Sequence, residues 1–216
     1  MKESSPKTKR RYFSRARELA AAGKRAHVLA VATKLLAEST GEPVSLEAVA
    51  KAAGVTRLTV YNQFGSRRAL LEALFDERAR EGGLDRISDA MRMADPRAAL
   101  DSLIEIFCEF WSSNPALGRL HAAAGSDPQF AQALAERNER RRTAIAVLVQ
   151  RMMRQKTMEG CAGRDLTDLL FALTSYAMHE LLRVKGRDAK AICAMVKTCC
   201  GSALQSAVSN KQHSNP

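Results

Sequence analysis

One short segment of the chain concentrates hydroxyl, guanidinium and amide side chains that could hydrogen-bond to a polar partner. Its members are Thr56, Arg57, Thr59, Tyr61, Asn62 and Gln63. Arginine can donate two parallel hydrogen bonds to a guanine edge, and hydroxyl groups can donate to phosphate oxygens. Arg57 is therefore the candidate for a guanine contact, and Thr56 and Tyr61 are candidates for phosphate contacts. The remaining polar side chains could reach base edges or phosphates.

Two short predicted helices would position these groups. Apolar residues recur at helical spacing over 45–53, which predicts a short helix with one buried face. Ser45 is placed as its N-cap, and Gly54 can end the helix in a left-handed conformation. Thr56 would cap a second helix over 57–63. Two helices joined by such a turn are typical of a helix-turn-helix, whose second helix can lie in the major groove of duplex DNA.

Basic residues concentrate just before this motif. The net charge is +11 and the pI is about 9.8. Residues 1–25 hold nine Lys or Arg against two Glu, leaving +7, whereas residues 26–81 carry seven charges of each sign. Such an excess suits a polyanionic partner, so we expect an arm that adds phosphate or minor-groove contacts with little dependence on sequence. A transit peptide or a solubility feature is the alternative interpretation.

Composition predicts an all-α fold, because Ala and Leu are abundant and aromatics make up only 5% of the chain. Paired glycines at 82–83 are the best candidate boundary. We expect four parts: a basic flexible arm (1–23), a helix-turn-helix domain (24–81), a larger helical domain (82–210) and a frayed tail (211–216). Beyond the motif, the predicted helices are 24–38, 66–81, 84–94, 98–111, 116–124, 127–155, 165–184 and 188–208. The first nine residues look disordered, and 12–22 look partly helical.

The sequence shows no signal peptide and no apolar stretch of the roughly 20 residues that a membrane helix needs. The five cysteines are Cys108, Cys161, Cys193, Cys199 and Cys200. Their odd number and lack of CxxC spacing indicate free thiols in a reducing cytoplasm.

A thiol sensor is an open alternative. Cys193 and Cys200 lie seven residues apart and so share a helix face, Cys199 adjoins Cys200, and the thiols could pair across a dimer. Metal binding has less support, because the four histidines are scattered and form no pair at i and i+4. We expect neither a metal nor another cofactor.

The run LEAVAKAAGVTRLTVYNQFGSRRALLEALF resembles the tetracycline-repressor-like (TetR) family of bacterial transcriptional regulators. The resemblance is densest over 28–75 and rests on the AAGV turn, on Tyr61 followed three residues later by Phe64, and on the basic residue after Ser66. Over the later part of the chain it is looser and rests on helix order and the run AAAGSDPQFAQALAERNERRR. It implies a helical homodimer with a DNA-binding head and a C-terminal body that binds an effector and dimerises.

The resemblance also implies a set of DNA-binding residues. They are Lys24, Arg25, Ser45, Thr56, Arg57, Leu58, Thr59, Tyr61, Asn62, Gln63 and Arg67. Arg67 matches the family's phosphate-contacting basic position. Leu58 departs from the small residue that is usual there, so it would either contact a thymine methyl or hold the backbone further from the DNA. Tyr61 could instead be a half-buried core ring, whereas Val55, Val60 and Phe64 are expected in the core.

A second set of residues could line an effector cavity between helices of the body. The candidates are Phe107, Cys108, Trp111, His121, Phe171, Ser175, Tyr176, Met178 and His179. Each could equally be a packing residue, because the apolar members recur at helical spacing. Few buried charges are expected there, so the sequence favours a lipophilic or aromatic effector. The resemblance places the dimer contact on the last two helices, with apolar positions Leu169, Leu170, Leu173, Ala177, Leu181, Ile192, Val196, Ala203 and Leu204.

The leading hypothesis is a ligand-responsive repressor in the bacterial cytoplasm, associated with the nucleoid and released from a palindromic operator by a small molecule. A nonspecific DNA-architectural protein that uses the basic arm is an alternative, as is the thiol-sensing regulator. An enzyme with Cys108 as nucleophile and His121 as base has little support, because neither residue lies in a recognisable catalytic motif.

Overall fold

The structure is a computed structural model that describes residues 6–39, 44–154, 162–183 and 187–209. Within these ranges every regular element is a helix, which confirms the predicted all-α class. The helices are α1 (Pro6–Glu38), α2 (Leu46–Ala52), α3 (Arg57–Phe64), α4 (Arg67–Glu81), α5 (Ile87–Arg92), α6 (Pro96–Ser112), α7 (Ala116–Ala124), α8 (Pro128–Arg154), α9 (Ala162–Leu173), α10 (Tyr176–Leu182) and α11 (Ala189–Ser209). A 3₁₀ turn, Leu84–Arg86, precedes α5. None of these helices is long and apolar enough to span a membrane.

The chain forms two compact units. Unit 1 contains Met1–Phe75 and Gly118–Phe130, and unit 2 contains Asp76–Leu117 and Ala131–Pro216. The expected boundary at Gly82 therefore lies inside unit 2. Gly82 belongs there because it allows a close approach: a Cβ atom on this residue would lie 2.6 Å from Cδ2 of Phe110.

Unit 1 is built from α1 to α3, the first half of α4, and the segment around α7. Its described core consists of Val28, Leu29, Ala32, Leu36, Val44, Val49, Ala50, Ala53, Val60, Phe64, Leu70, Leu71, Leu74, Phe75, Leu120 and Phe130. Helix α1 begins at Pro6, so the predicted disorder is wrong for residues 6–9. Proline is well suited to a first helical turn, and the Lys, Arg and Ala residues that follow favour continuation into the predicted helix.

Unit 2 is centred on α6, which packs against α11, α5 and α10. Asp95 caps α6 and Pro96 occupies its first helical position, so this helix begins two residues before the predicted start at 98. The predicted helix over 84–94 is shorter, because Gly83 adopts φ +75° and a 3₁₀ turn comes first. Side chains 1–17 and residues Cys161 and His213 lie outside the described part of the chain, so the predictions that concern them have no structural counterpart.

The predicted single helix over 165–184 is wrong, because the chain breaks it into α9 and α10 at Thr174 and Ser175. Ser175 has extended backbone angles, φ −77° and ψ 156°, and its side chain accepts a hydrogen bond from Met178 N. The Thr174 carbonyl leaves the helical pattern and accepts hydrogen bonds from Trp111 and Arg141. The break is therefore stabilised by side chains of two other helices.

Candidate nucleic-acid interface and buried polar cluster

Helix α3 separates its apolar and polar side chains onto opposite faces. Val60 and Phe64 are buried. Leu58 is 65% exposed and Tyr61 is 55% exposed. The exposed side also carries Arg57 and Asn62, with Thr59 and Gln63 at its edges. This arrangement leaves guanidinium, phenol, amide and leucine groups available to an external surface, and it disfavours the interpretation of Tyr61 as a core ring.

Local hydrogen bonds fix where α2 and α3 begin. Ser45 Oγ accepts from Ala48 N at 3.1 Å, and Thr56 Oγ1 accepts from Thr59 N at 3.1 Å. The two threonine hydroxyls are also 2.9 Å apart. Both predicted N-caps are confirmed, and Gly54 has the expected positive φ of 64°. The cap at Thr56 holds the first turn of α3, where Arg57 lies.

Arg25 holds the other end of α3. Its guanidinium donates to Gln63 O at 2.8 Å and lies 4.2 Å from the centroid of the Phe64 ring. His27, two residues further along α1, is 3.1 Å from Ala53 O through Nε2. The sequence indicated Arg25 as a phosphate contact and did not reveal these positioning contacts. Lys24, the other predicted arm residue with a described side chain, is exposed.

Arg67 joins two parts of unit 1 that are distant in sequence. Its Nε donates to Val44 O at 3.0 Å, and a terminal nitrogen donates to Asp127 Oδ2 at 2.9 Å. The other oxygen of Asp127 accepts from Phe130 N at 3.0 Å and caps α8. These side chains are largely shielded, with 26% of Arg67 and 16% of Asp127 exposed. The phosphate contact predicted for Arg67 would therefore be made by its remaining N–H groups.

A buried polar cluster lies at the break between α9 and α10. Arg141, on α8, is only 5% exposed, and a terminal nitrogen donates to the carbonyl oxygen of Thr174. Trp111 Nε1 donates to the same oxygen at 3.0 Å. The Arg141 guanidinium lies 4.3 Å from the Phe171 ring centroid and 5.5 Å from that of Phe107. The cluster therefore combines one cation, one carbonyl and several aromatic rings.

The charge of Arg141 has no acidic partner among the described residues. Its hydrogen bonds within the described residues go to the two oxygens of Thr174 and to no carboxylate. Its Nε atom is buried without a hydrogen bond. Burial, and to a smaller extent the positive charge of Arg142, lowers the pKa of Arg141 to about 10. At neutral pH the group is still a cation, but one that the surrounding protein stabilises poorly.

Sequence reasoning missed Arg141 although a signal was present. The run Arg140 to Arg142 suggests a solvated face. Arg141, however, lies at helical spacing from Leu134, Ile145 and Leu148, all of which are buried. An arginine on the apolar stripe of an otherwise amphipathic helix is the feature that could have predicted the cluster.

The structure brings four of the predicted effector residues together in unit 2. Phe107 and Trp111 are buried, their ring centroids 6.0 Å apart, and Tyr176 meets Trp111 edge-on at 5.6 Å. Phe171 joins them through Arg141. Trp111 is also committed to a hydrogen bond, which the sequence could not show.

The other predicted effector residues lie elsewhere or have structural roles. His121 belongs to unit 1, where its ring centroid is 6.4 Å from that of Phe75. Ser175 is the N-cap of α10, and Met178 donates to it through the backbone. His179 is buried, with Nε2 2.9 Å from Ser112 Oγ and Nδ1 without a partner. Burial lowers the pKa of His179.

A groove between α8 and α9 was not predicted. It has a volume of about 840 Å³. Its lining residues are Arg142, Thr143, Ala146, Val147, Val149, Gln150, Met153, Gly163, Arg164, Asp165, Thr167 and Asp168. Arg142 also lies 4.0 Å from the Phe171 ring centroid. The groove thus begins beside the ring that also contacts Arg141.

The described cysteines do not favour thiol sensing. Cys108 and Cys200 are buried, and Cys193 lies near Cys108. Burial raises the pKa of Cys108 well above its usual range and that of Cys200 to about 12. These groups are thiols at neutral pH, whereas sensing requires an accessible thiolate. No metal-ligand cluster is found among the residues that the structure describes.

Several predicted dimer residues belong to the core of unit 2. Leu170, Ile192, Val196 and Leu204 are all at most 4% exposed, because α9 and α11 pack against each other and α11 against α6. Other apolar side chains of α9, α10 and α11 face outwards. They are Leu169 at 47%, Leu181 at 75% and Met195 at 37% exposure.

Comparison with known proteins covers both units. Residues 28–74 match the family model described as "Bacterial regulatory proteins, tetR family", and 94–208 match "Tetracyclin repressor-like, C-terminal domain". The HTH-type transcriptional regulator EthR of Mycolicibacterium smegmatis is 36% identical over 108 residues, 49% of this chain and 49% of EthR. The chain thus spans about half the length of that relative.

A second relative and a solved structure extend the comparison. The nucleoid occlusion factor SlmA of Shewanella denitrificans is 26% identical over 166 residues, 73% of this chain and 79% of SlmA. A putative TetR-family transcriptional regulator from Rhodococcus sp. superposes with a TM-score of 0.69 and 15% identity, covering 84% of this chain and 99% of that one. The structural match concerns the fold.

Proposed function

The chain belongs to the TetR family of ligand-responsive DNA-binding transcriptional regulators, and we propose that it is a homodimeric repressor that leaves a palindromic operator when a small molecule binds to unit 2. The observation that carries the proposal is the exposed face of α3, with Arg57, Leu58, Tyr61 and Asn62. A two-fold dimer presents two such helices, which matches a two-fold operator.

Each exposed group of α3 is suited to a different part of DNA. Arg57 would donate to the guanine O6 and N7 acceptors, and Asn62 would pair with an adenine edge. Leu58 would contact a thymine methyl, since its exposed side chain extends from the same face. Tyr61 and Thr56 would position the helix on phosphates. Arg25 would act by holding the end of α3, and Lys24 by contacting phosphate.

The dimer would form through the outward face of the last helices. Leu169, Leu181 and Met195 offer apolar area there that unit 2 does not bury within one protomer. Contact of these side chains with a second copy would remove their apolar surface from water. The protein would act in the bacterial cytoplasm, and its family points to a regulator rather than an enzyme.

Fluorescence anisotropy on duplexes that tile the DNA upstream of the chain's own gene tests the proposal. Wild type should bind one tile saturably in the presence of scrambled competitor at fixed, near-physiological salt. Arg57→Ala should weaken that binding by about ten- to one-hundred-fold, the range for one lost bidentate base contact. Arg68→Ala is the matched control, because Arg68 is exposed on the next helix and pairs with Glu72.

If scrambled competitor displaces the protein equally from every tile, and its affinity for DNA falls steeply with salt, the DNA-architectural alternative is supported instead.

Tyr61→Phe refines the assignment. It should weaken operator binding several-fold with unchanged thermal stability, because the exposed hydroxyl has no described partner within the protein. Equal affinity of the two proteins would argue against the phosphate contact.

A further inference from the structure

Arg141 carries more hydrogen-bonding capacity than the described protein uses. A guanidinium has five N–H donors. Only one terminal nitrogen of Arg141 has described partners, the carbonyl and hydroxyl oxygens of Thr174. Nε is buried and unpaired, so the side of the fork that it forms with the second terminal nitrogen has no described acceptor. Buried arginines are rarely found without a partner.

The fold does not require a cation at this place. The Thr174 carbonyl already accepts from Trp111 Nε1, and the first turn of α10 is capped by Ser175. A neutral side chain could supply the remaining hydrogen bond. Burial of an uncompensated charge is costly, so its retention at a structural position needs another reason.

The surroundings of Arg141 indicate the shape of what it could bind. The guanidinium lies against the rings of Phe107 and Phe171. The Thr174 carbonyl that it contacts also accepts from Trp111. The Phe171 ring also touches Arg142, which lines the groove between α8 and α9. Phe171 therefore connects the buried cation to the residues of the groove, whose apolar members could pack against a ligand body.

We propose that Arg141 binds the carboxylate of the effector, and that the effector is an organic acid with an aliphatic or aromatic body. A carboxylate accepts two parallel hydrogen bonds from the fork of an arginine and compensates its charge. This assignment rests on the proposed function and gives its effector a chemical class. It refines the expectation of a lipophilic or aromatic effector by adding one anionic group to it.

Trp111 provides a reporter for this site. It is the only tryptophan in the chain, and its indole shares the Thr174 carbonyl with Arg141. A ligand that takes up hydrogen bonds of Arg141 changes the polarity next to the indole. Tryptophan fluorescence therefore follows occupancy of the site in the full chain without DNA. The fluorescence titration tests ligand binding independently of operator binding, so the two proposals can fail separately.

The experiment titrates the full chain with matched pairs of probes. Each pair is a straight-chain or phenyl-substituted carboxylic acid and the primary amide with the same carbon skeleton. Acids should change Trp111 fluorescence saturably and raise the melting temperature, and the matching amides should bind at least about ten-fold more weakly, because a charge-assisted pair is lost. Affinities of acid and amide within two-fold of each other, or no saturable response to any acid, would overturn the proposal.

Two variants locate the effect. Arg141→Met should bind acid and amide equally, whereas Arg140→Gln, the matched control at an exposed arginine one residue away, should keep the preference for the acid. Persistence of the preference in Arg141→Met would overturn the assignment. If Arg141→Met does not fold, the comparison of acid with amide on the wild-type protein decides. If wild type binds none of the DNA tiles specifically but its fluorescence responds selectively to acids, the proposed operator binding is refuted and the acid site stands.

Discussion

The two units interrupt their helices in different ways. In unit 1, the turn before α3 is completed by neighbours: Gly54 supplies the positive φ, and the Thr56 hydroxyl accepts from an amide three residues later. In unit 2, the break after α9 has its own serine cap, but the Thr174 carbonyl is satisfied by Trp111 and Arg141. These donors are 63 and 33 residues away in the sequence.

The difference shows which groups remain for a partner. Local caps use short side chains, so α3 keeps its long side chains Arg57, Leu58 and Tyr61 exposed for a macromolecule. The distant cap in unit 2 instead brings a long cation into the interior and uses only part of it. A small molecule that reaches the interior could accept hydrogen bonds from the donors of Arg141 that remain unpaired.

Asp127 combines the local and the distant role in unit 1 and should show the largest effect. Its carboxylate caps α8 at Phe130 N and pairs with Arg67. Asp127→Ala should lower the free energy of unfolding by about 2 kcal/mol, roughly 1 for the cap and the rest for the partly shielded pair. Urea unfolding measures this. Asp127→Asn is the control, because asparagine still caps and should lose less than about 1 kcal/mol. Equal losses would show that the cap contributes nothing.

Thr56→Ala tests a purely local cap. It should lower the free energy of unfolding by about 1 kcal/mol and weaken operator binding, because the first turn of α3 loses its acceptor. Thr56→Ser keeps the hydroxyl and should remain close to wild type in both measurements. Unchanged operator affinity in a folded Thr56→Ala protein would separate helix capping from DNA recognition.

Arg141→Met tests the distant cap and should have a smaller effect of opposite sign. The free energy of unfolding should stay equal or rise by up to about 1 kcal/mol, since an unpaired buried charge is replaced by an apolar chain of similar length. Chemical unfolding of the variant beside wild type measures it. A loss above about 2 kcal/mol would show that the guanidinium is primarily structural.

The smallest expected effect is the pH response of His179. Burial holds its pKa below the ordinary value of 6.5, with Glu180 opposing and Arg183 adding to the shift. The unfolded chain then binds the proton more readily, so stability is present above about pH 6.5 and decreases as the pH falls below it. Thermal unfolding between pH 7.5 and 5.5 (about one unit either side) should show a shallower decline for His179→Gln than for wild type. Parallel curves would assign the pH response to other groups.

The same contrast explains how far the sequence predicts this molecule. The caps at Ser45, Thr56, Asp95 and Asp127 were predictable, because each depends on residues within one turn. The break at Thr174 was not predictable, because its donors come from other helices and residues 165–184 contain no Gly or Pro.

The candidate sites follow the same division. The exposed groups of α3 could be listed from helical spacing, whereas the pair of Arg67 with Asp127 depends on residues 60 positions apart. The aromatic members of the body cluster were named as possible cavity residues, but Arg141, the cation that they surround, was not named. Spacing identifies the face of one helix, and it does not identify the partner that a neighbouring helix supplies.

The exposed Leu58 and Tyr61 have a calorimetric consequence. Each presents apolar surface to water in the unbound protein, at 65% and 55% exposure. Removal of apolar surface from water lowers the heat capacity. Docking of α3 in the major groove therefore carries a negative heat-capacity change that contacts with phosphate alone do not produce. The temperature dependence of the binding enthalpy thus distinguishes a protein seated in the groove from one held only along the backbone of the duplex.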